Sequence, residues 1–275
     1  MLKLKRLAVS RFLPVLSFVW TMTVVTALIS PVALKAQDPD AKANSQKARA
    51  ALDAMVRALG GDAWLNLKDT TLQGRTSGFY QGKPTGEITD YWDFHQFPDK
   101  QRIELTKKRD WIVIYNGKEA WEVTYQGKKA LPKAEVEDYQ RRRDHSIEMA
   151  VRVWLKDPRT VLIFDGQTMV ERHLADQVTL LSADNDNITI QMDAQDHLPL
   201  RRSFTWRDPL YKDKNEDADE FDDYHPIEGI PTPFAVSRFH NGDMVNQRFL
   251  YHASYNSGMA DSLFDVDAAV RKFKK

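Results

Sequence analysis

Seven histidines and one dense acidic run are the residues of this chain with the most obvious chemical potential. His95, His145, His173, His197, His225, His240 and His252 are never closer than twelve residues apart. A local metal site on one helix needs histidines at helical spacing, so none of these forms one. In the acidic run from Asp213 to Asp223, Asp213, Asn215 and Asp217 match the first three ligand positions of a calcium loop, with Asp219 following. Ala218 then replaces the turn glycine, and Tyr224 stands where the bidentate Glu belongs. The run reads instead as a solvated loop between strands. Gly78 to Lys83 fails as a phosphate loop because Pro84 occupies the position of the magnesium-binding hydroxyl. A Gly-x-Ser-x-Gly nucleophile elbow is missing, and nothing in the pattern calls for a metal or other cofactor. His225 beside Asp222 and Asp223 is the one local acid–base cluster, and it supports an envelope hydrolase only as a third reading.

What stands above background is aromatic: Trp92, Phe94, Trp111, Tyr115, Trp121, Tyr125, Trp154, Phe204 and Trp206. Such side chains ordinarily make a core, and they face a ligand only where a sheet leaves a cavity open. The elements that carry them therefore decide their use.

Stepping along the chain, Lys3, Lys5, Arg6 and Arg11 precede an uncharged stretch from Phe12 to Leu34, the layout of a secretory signal peptide. Two forms are open, cleavage after Ala36 or retention as a membrane anchor, and both export the remainder. Residues 1–36 are thus read as the signal and 37–275 as a single domain. The chain has no cysteine, so it has neither a disulfide framework nor a lipidation site. Removal of 1–36 leaves 34 basic and 39 acidic residues, a net charge of −5, which argues against a nucleic-acid partner.

Asn44 to Leu59 places Ala48, Ala51, Leu52, Met55, Val56 and Leu59 at helical spacing, with Asn44 or Ser45 available as a cap and Gly60-Gly61 as a stop. From Thr70 the period becomes two, and short β-branched and aromatic runs alternate with Gly, Pro and Asn turns. Asn116-Gly117 and Asn241-Gly242 mark tight hairpins. Helical spacing returns from Ala134 to Leu155, and Asp157-Pro158 ends it. The expected fold is mainly β: an incompletely closed antiparallel barrel of about ten or eleven strands, with helices over its concave face.

Gly86, Trp92, Pro98, Ile103 and then Asn116-Gly117-Lys118-Glu119-Ala120-Trp121 follow one another in the order seen in the periplasmic lipoprotein-sorting carriers. Two further phrases, His197-Leu198-Pro199-Leu200-Arg201-Arg202-Ser203-Phe204 and Asp261-Ser262-Leu263-Phe264, extend the match. The chain thus resembles the LolA/LolB-like family along nearly its whole exported length. Carriers of that family have Arg before the strand-connecting Pro, where it helps hold the helical lid, whereas here Phe97 precedes Pro98.

The resemblance implies a monomeric periplasmic carrier, without enzymatic activity, for the acyl chains of lipids or lipoproteins, with donor and acceptor proteins in the inner or outer membrane. A sensor or interaction module of the same fold is the alternative. The expected cavity lining is Ile88, Trp92, Phe94, Ile103, Leu105, Trp111, Val113, Tyr115, Trp121 and Val123, with Met149, Val153 and Trp154 from the covering helix. A slip of one residue in any strand would exchange its two faces.

Overall fold

The structure, a computed structural model, describes residues 39–273; the expected signal segment lies outside the described residues. Helix α1 (Pro39–Ala58) and the single turn α2 (Asp62–Leu65) precede seven strands. These are β1 (Asp69–Tyr80), β2 (Lys83–Pro84), β3 (Thr89–Gln96), β4 (Lys100–Leu105), β5 (Trp111–Asn116), β6 (Glu119–Thr124) and β7 (Gly127–Ala130). Helices α3 (Lys133–Asp144) and α4 (Ile147–Arg152) follow. Seven more strands are β8 (Val161–Val170), β9 (His173–Leu181), β10 (Asn187–Asp193), β11 (Pro199–Arg207), β12 (Lys214–Ile227), β13 (Ile230–His240) and β14 (Asp243–Tyr255). A 3₁₀ turn at Asp261–Phe264 leads into α5 (Val266–Lys272). Among the described residues no helix is long and apolar enough to cross a membrane.

All fourteen strands belong to one antiparallel sheet in the order β7-β6-β5-β4-β3-β1-β14-β13-β12-β11-β10-β9-β8, with β2 paired to β1 off this path. Strands β7 and β8 end the path without meeting, so the barrel is open. The sheet is nevertheless strongly curled. Tyr115 on β5 and Arg202 on β11 lie seven strand spacings apart, about 34 Å in a flat sheet, yet they line the same cavity. One bend is visible at Gly74, where the β1–β14 register shifts and a Cβ would collide with the Phe249 carbonyl.

The strand count exceeds the expected ten or eleven: the short strands β2 and β7 add to it, and the acidic run is not a loop. It forms β12, an interior strand whose Asp217 and Asp219 are buried. Composition concealed it, since Asp disfavours strands unless its charge is answered. The helix expected over 134–155 is broken at His145-Ser146, where the Ser146 hydroxyl accepts from Met149 N at 3.2 Å and starts α4 afresh. Asn44 is not a cap, because α1 begins upstream of it. Its amide donates to the Phe164 carbonyl at 2.8 Å and accepts from the Phe164 N–H at 2.9 Å, covering part of the edge strand β8. The first hairpin turns on Gly117-Lys118, one residue later than expected, with Gly117 at φ +61°. The second turns on Asn241-Gly242, both at positive φ, as its sequence demands.

Helices α1 to α4 lie on one face of the sheet, here the inner face. Ala48, Leu52 and Met55 of α1, with Leu59 just beyond it, pack with Ile147, Ala150 and Val151 of α4 on Val178, Leu180, Ile188 and Ile190 of β9 and β10. Helix α5 covers the outer face at the other end, where Phe264 and Ala269 meet Ile112, Ile114 and Val123. Leu52 is fully buried, so Leu52→Ala should cost about 2–5 kcal/mol in urea unfolding. A loss below about 1 kcal/mol would show that α1 is not seated on the sheet in solution.

Candidate functional site

Between the helices and the inner face lie two adjoining chambers. The first, about 240 Å³, is mostly apolar: Leu59, Trp64, Leu67 and Ile147 come from the helical side, and Leu72, Tyr91, Phe97, Phe221, Ile230, Val236, Leu250 and Tyr255 from the sheet side. The second, about 330 Å³, is polar and rich in cations, with Arg142, Arg143, Arg202, Arg238 and Arg248 on its walls beside Tyr115, Tyr139, Ser146 and Ile103. His95, Gln101, Glu148 and Arg248 are common to both.

Strand alternation explains how the second chamber is charged. Arg202 on β11 sits opposite Asp219 on β12, which sits opposite Arg238 on β13, so three neighbouring strands present alternating charge to the inner face. Arg202 and Asp219, 4% and 6% exposed, form a close ion pair, and Arg238 Nε donates to the other Asp219 oxygen at 3.0 Å. Burial alone would raise the Asp219 carboxyl. Its guanidinium neighbours Arg202, Arg238 and Arg248 outweigh that and hold it far below the ordinary carboxylate range. Two residues along, Asp217 accepts from Trp206 Nε1 at 3.2 Å and contacts His240 Nδ1 at 2.7 Å.

Across the cup, Asp93 of β3 accepts from Gln101 Nε2 at 2.7 and 2.8 Å. Burial pushes its carboxyl upward despite that bond, and burial lowers the neighbouring His95, so both favour their neutral forms. Desolvation likewise pushes Tyr91 up to about 12. Helix α3 bridges the two sides: Tyr139 stacks on Tyr115 of β5 at 3.6 Å, and Arg141 lies 3.5 Å over Trp206 of β11. A mainly charged helix with no buried residue is thus fixed by two ring contacts.

The register redistributes the expected lining. Ile103, Leu105, Trp111, Val113 and Tyr115 share the inner face through the pairs Gln101–Tyr115, Ile103–Val113 and Leu105–Trp111. Ile103 and Tyr115 line the polar chamber, while Trp111 is 44% exposed. Trp92, Phe94, Trp121 and Val123 point the other way. Phe94 and Val123 pack in the cluster under α5, Arg109 lies 4.9 Å over Trp92, and Trp121 sits opposite Ile114. On β3 the inner positions are Tyr91, Asp93 and His95. Ile88 precedes β3 and is 67% exposed. Met149, Val153 and Trp154 line neither chamber. Trp154 joins the core under α1, Val153 is exposed, and α4 contributes Ile147 and Glu148 instead.

Phe97, which stands where the carriers have Arg, lines the apolar chamber. An arginine reaches it from another element, since Arg152 of α4 lies 4.4 Å over its ring and donates to the Leu67 and Trp64 carbonyls at 2.9 and 2.7 Å. The hydrolase candidate is an exposed pair, His225 Nε2 to Asp223 Oδ1 at 2.9 Å, outside the polar chamber. Among the described residues no group of three or more His, Asp or Glu side chains is placed to hold a metal.

An open antiparallel barrel with helices packed inside its curl is the LolA/LolB-like fold. No protein-family model and no curated protein matches this chain. The likeness is instead to solved structures. A DUF1329 family protein from Desulfovibrio piger is 15% identical over 81% of this chain and 98% of that one, with a TM-score of 0.54. A domain from Vibrio parahaemolyticus, described as an outer-membrane lipoprotein-sorting protein, is 8% identical over 84% of this chain and all of that one, with a TM-score of 0.50.

Asp219 supplies a test of the charged wall. Asp219→Asn leaves Arg202 and Arg238 buried without their carboxylate and should cost about 3–5 kcal/mol at neutral pH. The folded carboxyl titrates below its unfolded value of about 3.9, so its contribution is complete above about pH 5 and drains away as pH falls. Between about pH 6 and pH 3 the parent protein should therefore lose more stability than the variant. Equal slopes in chemical unfolding would disprove the pairing.

Proposed function

We propose that the protein is a periplasmic carrier that shields the acyl chain of a lipid or lipoprotein in its apolar chamber. The observation that carries this reading is the chamber itself, set between Leu59, α2, α4 and the curled sheet and walled by aliphatic and aromatic side chains. Burial of each CH₂ is worth about 0.8 kcal/mol, so even a partly inserted chain gains several kcal/mol before ordering costs. A dry apolar cavity of about 150 Å³ already accepts benzene, and this one is larger. The fold agrees, being shared with the domain described as lipoprotein-sorting. Localisation follows the export layout of the first 36 residues, and binding rather than catalysis is the activity proposed.

Release requires the walls to part. Strands β7 and β8 are not bonded to each other, and α1 is fixed to β8 through Asn44, so the opening in the sheet and the helix over it lie at the same end. Exchange of cargo with a donor or acceptor in either membrane is assigned to this edge.

Native mass spectrometry of protein purified from a bacterial periplasm, followed by organic extraction, should find bound lipid or acylated peptide. Val236→Phe, which narrows the chamber, should lower the affinity for dodecanol by about tenfold while leaving circular dichroism unchanged. A clean apo mass together with undiminished binding by the variant would refute the chamber as the acyl site.

A further inference from the structure

The second chamber has no part in holding an alkyl chain, yet its walls are unusual for a void. Five guanidinium groups, those of Arg142, Arg143, Arg202, Arg238 and Arg248, stand on them. Five carboxylates answer them, Asp217 acting on Arg202 and Arg238 through space. Asp138 serves both Arg141 and Arg142, Asp144 serves Arg143, Asp219 serves both Arg202 and Arg238, and Glu148 faces the chamber. Asp93, which also faces Arg248 and Arg238, favours its neutral form. Among the described residues Arg248 meets no hydrogen-bond or ion-pair partner. The chamber thus sets one unpaired guanidinium beside four paired ones, at the inner wall of a protein that is acidic once residues 1–36 are removed.

A second observation is independent of the charge count. Arg202 Nε and Nη1, Arg143 Nη1 and His95 Nε2 are buried and meet no acceptor, and all three residues line this chamber. A buried N–H of a cation left without an acceptor costs more than a neutral one, and native structures retain few of them. Oxyanions satisfy such donors best, because guanidinium groups meet carboxylate or phosphate through paired, charge-assisted bonds. Tyr115, Tyr139 and Ser146 add neutral donors around the same space.

The apolar chamber alone, about 240 Å³, falls below the range of roughly 300–1,000 Å³ usual for small-molecule sites, and the shared residues join it to the cationic one. We infer that the two chambers form one amphipathic site for an anionic amphiphile, with the alkyl chain among Leu72, Val236 and Leu250 and its carboxylate or phosphate head between Arg248, Arg202 and Arg142. This deepens the carrier reading and rests on it. It also distinguishes this protein from a carrier of acyl chains alone, because the head contributes selectivity.

The test uses the full exported chain and four probes sharing a chain length where they have one: dodecyl phosphate, dodecanoate, dodecanol and inorganic phosphate. Affinities are measured by calorimetry at fixed, moderate salt. Dodecyl phosphate and dodecanoate should each bind at least tenfold more tightly than dodecanol, and inorganic phosphate more weakly than dodecyl phosphate. Arg248→Gln, which orphans no ion pair, should reduce the charged-over-neutral ratio to threefold or less, and Arg142→Gln should reduce it in the same direction should the first variant not fold. Dodecanol binding as tightly as the anions would overturn the head site and leave the carrier reading standing. Failure of all three alkyl probes to bind would overturn both. Inorganic phosphate matching dodecyl phosphate would show a free-anion site with no role for the chain.

Discussion

The buried alignment of Arg202, Asp219 and Arg238 is the constraint around which the inner face is organised. Three adjacent strands each commit an inward position to a charge, and each charge is tolerable in that setting only because its neighbour in the ladder has the opposite sign. The arrangement fixes register as firmly as a hydrophobic pair would. Sliding β12 by one residue against β11 or β13 would turn Asp219 outward and leave both guanidinium groups without their carboxylate. Strand β12 has a sequence that by propensity alone should not be a strand, and this cross-strand pairing is what holds it at the centre of the sheet.

From that stripe the two halves of the cup take different characters. Toward β8 the inner face is aliphatic and is filled by α1 and α4, which gives the fold its largest apolar core. Toward β5 the inner face is partly polar and covered only by α3, while the core of that half sits on the outer face beneath α5. The polypeptide thus changes sides of its own sheet, and the cavities lie where neither core fills the space. Helix α3 completes the enclosure with two ring contacts and little buried area, which makes it the lightly held wall, whereas α1 is seated deeply.

This division explains where the expected lining residues fall. On β4 and β5, Ile103, Val113 and Tyr115 share the inner face, and of these Ile103 and Tyr115 line a chamber. On β3 and β6 both faces are semi-apolar, because α5 covers one and the cup the other. Trp92, Phe94, Trp121 and Val123 were drawn to the wrong face by their hydrophobicity. The arginines were overlooked for the opposite reason, since a charged residue in a strand reads as solvent-facing. A usable signal existed in the period-two repeats of charge, Asp217 with Asp219 and Arg238 with His240, but it becomes legible only when the strands are known to be neighbours.

By itself the sequence determined the class of fold, because the helix-then-strand periodicities, the Gly-containing turns and the ordered phrases that resemble the lipoprotein-sorting carriers are local properties of the chain. It also determined the second hairpin to the residue, since Asn241-Gly242 accepts positive φ at both turn positions. Tertiary structure alone decided which face of each strand lines the cavity, that the acidic run is an interior strand, and that cations from α3 and three strands converge on one chamber. The reason is physical: register and burial are set by pairing between segments far apart in sequence, and the pairing energy of Asp219 with Arg202 and Arg238 is written in none of them singly.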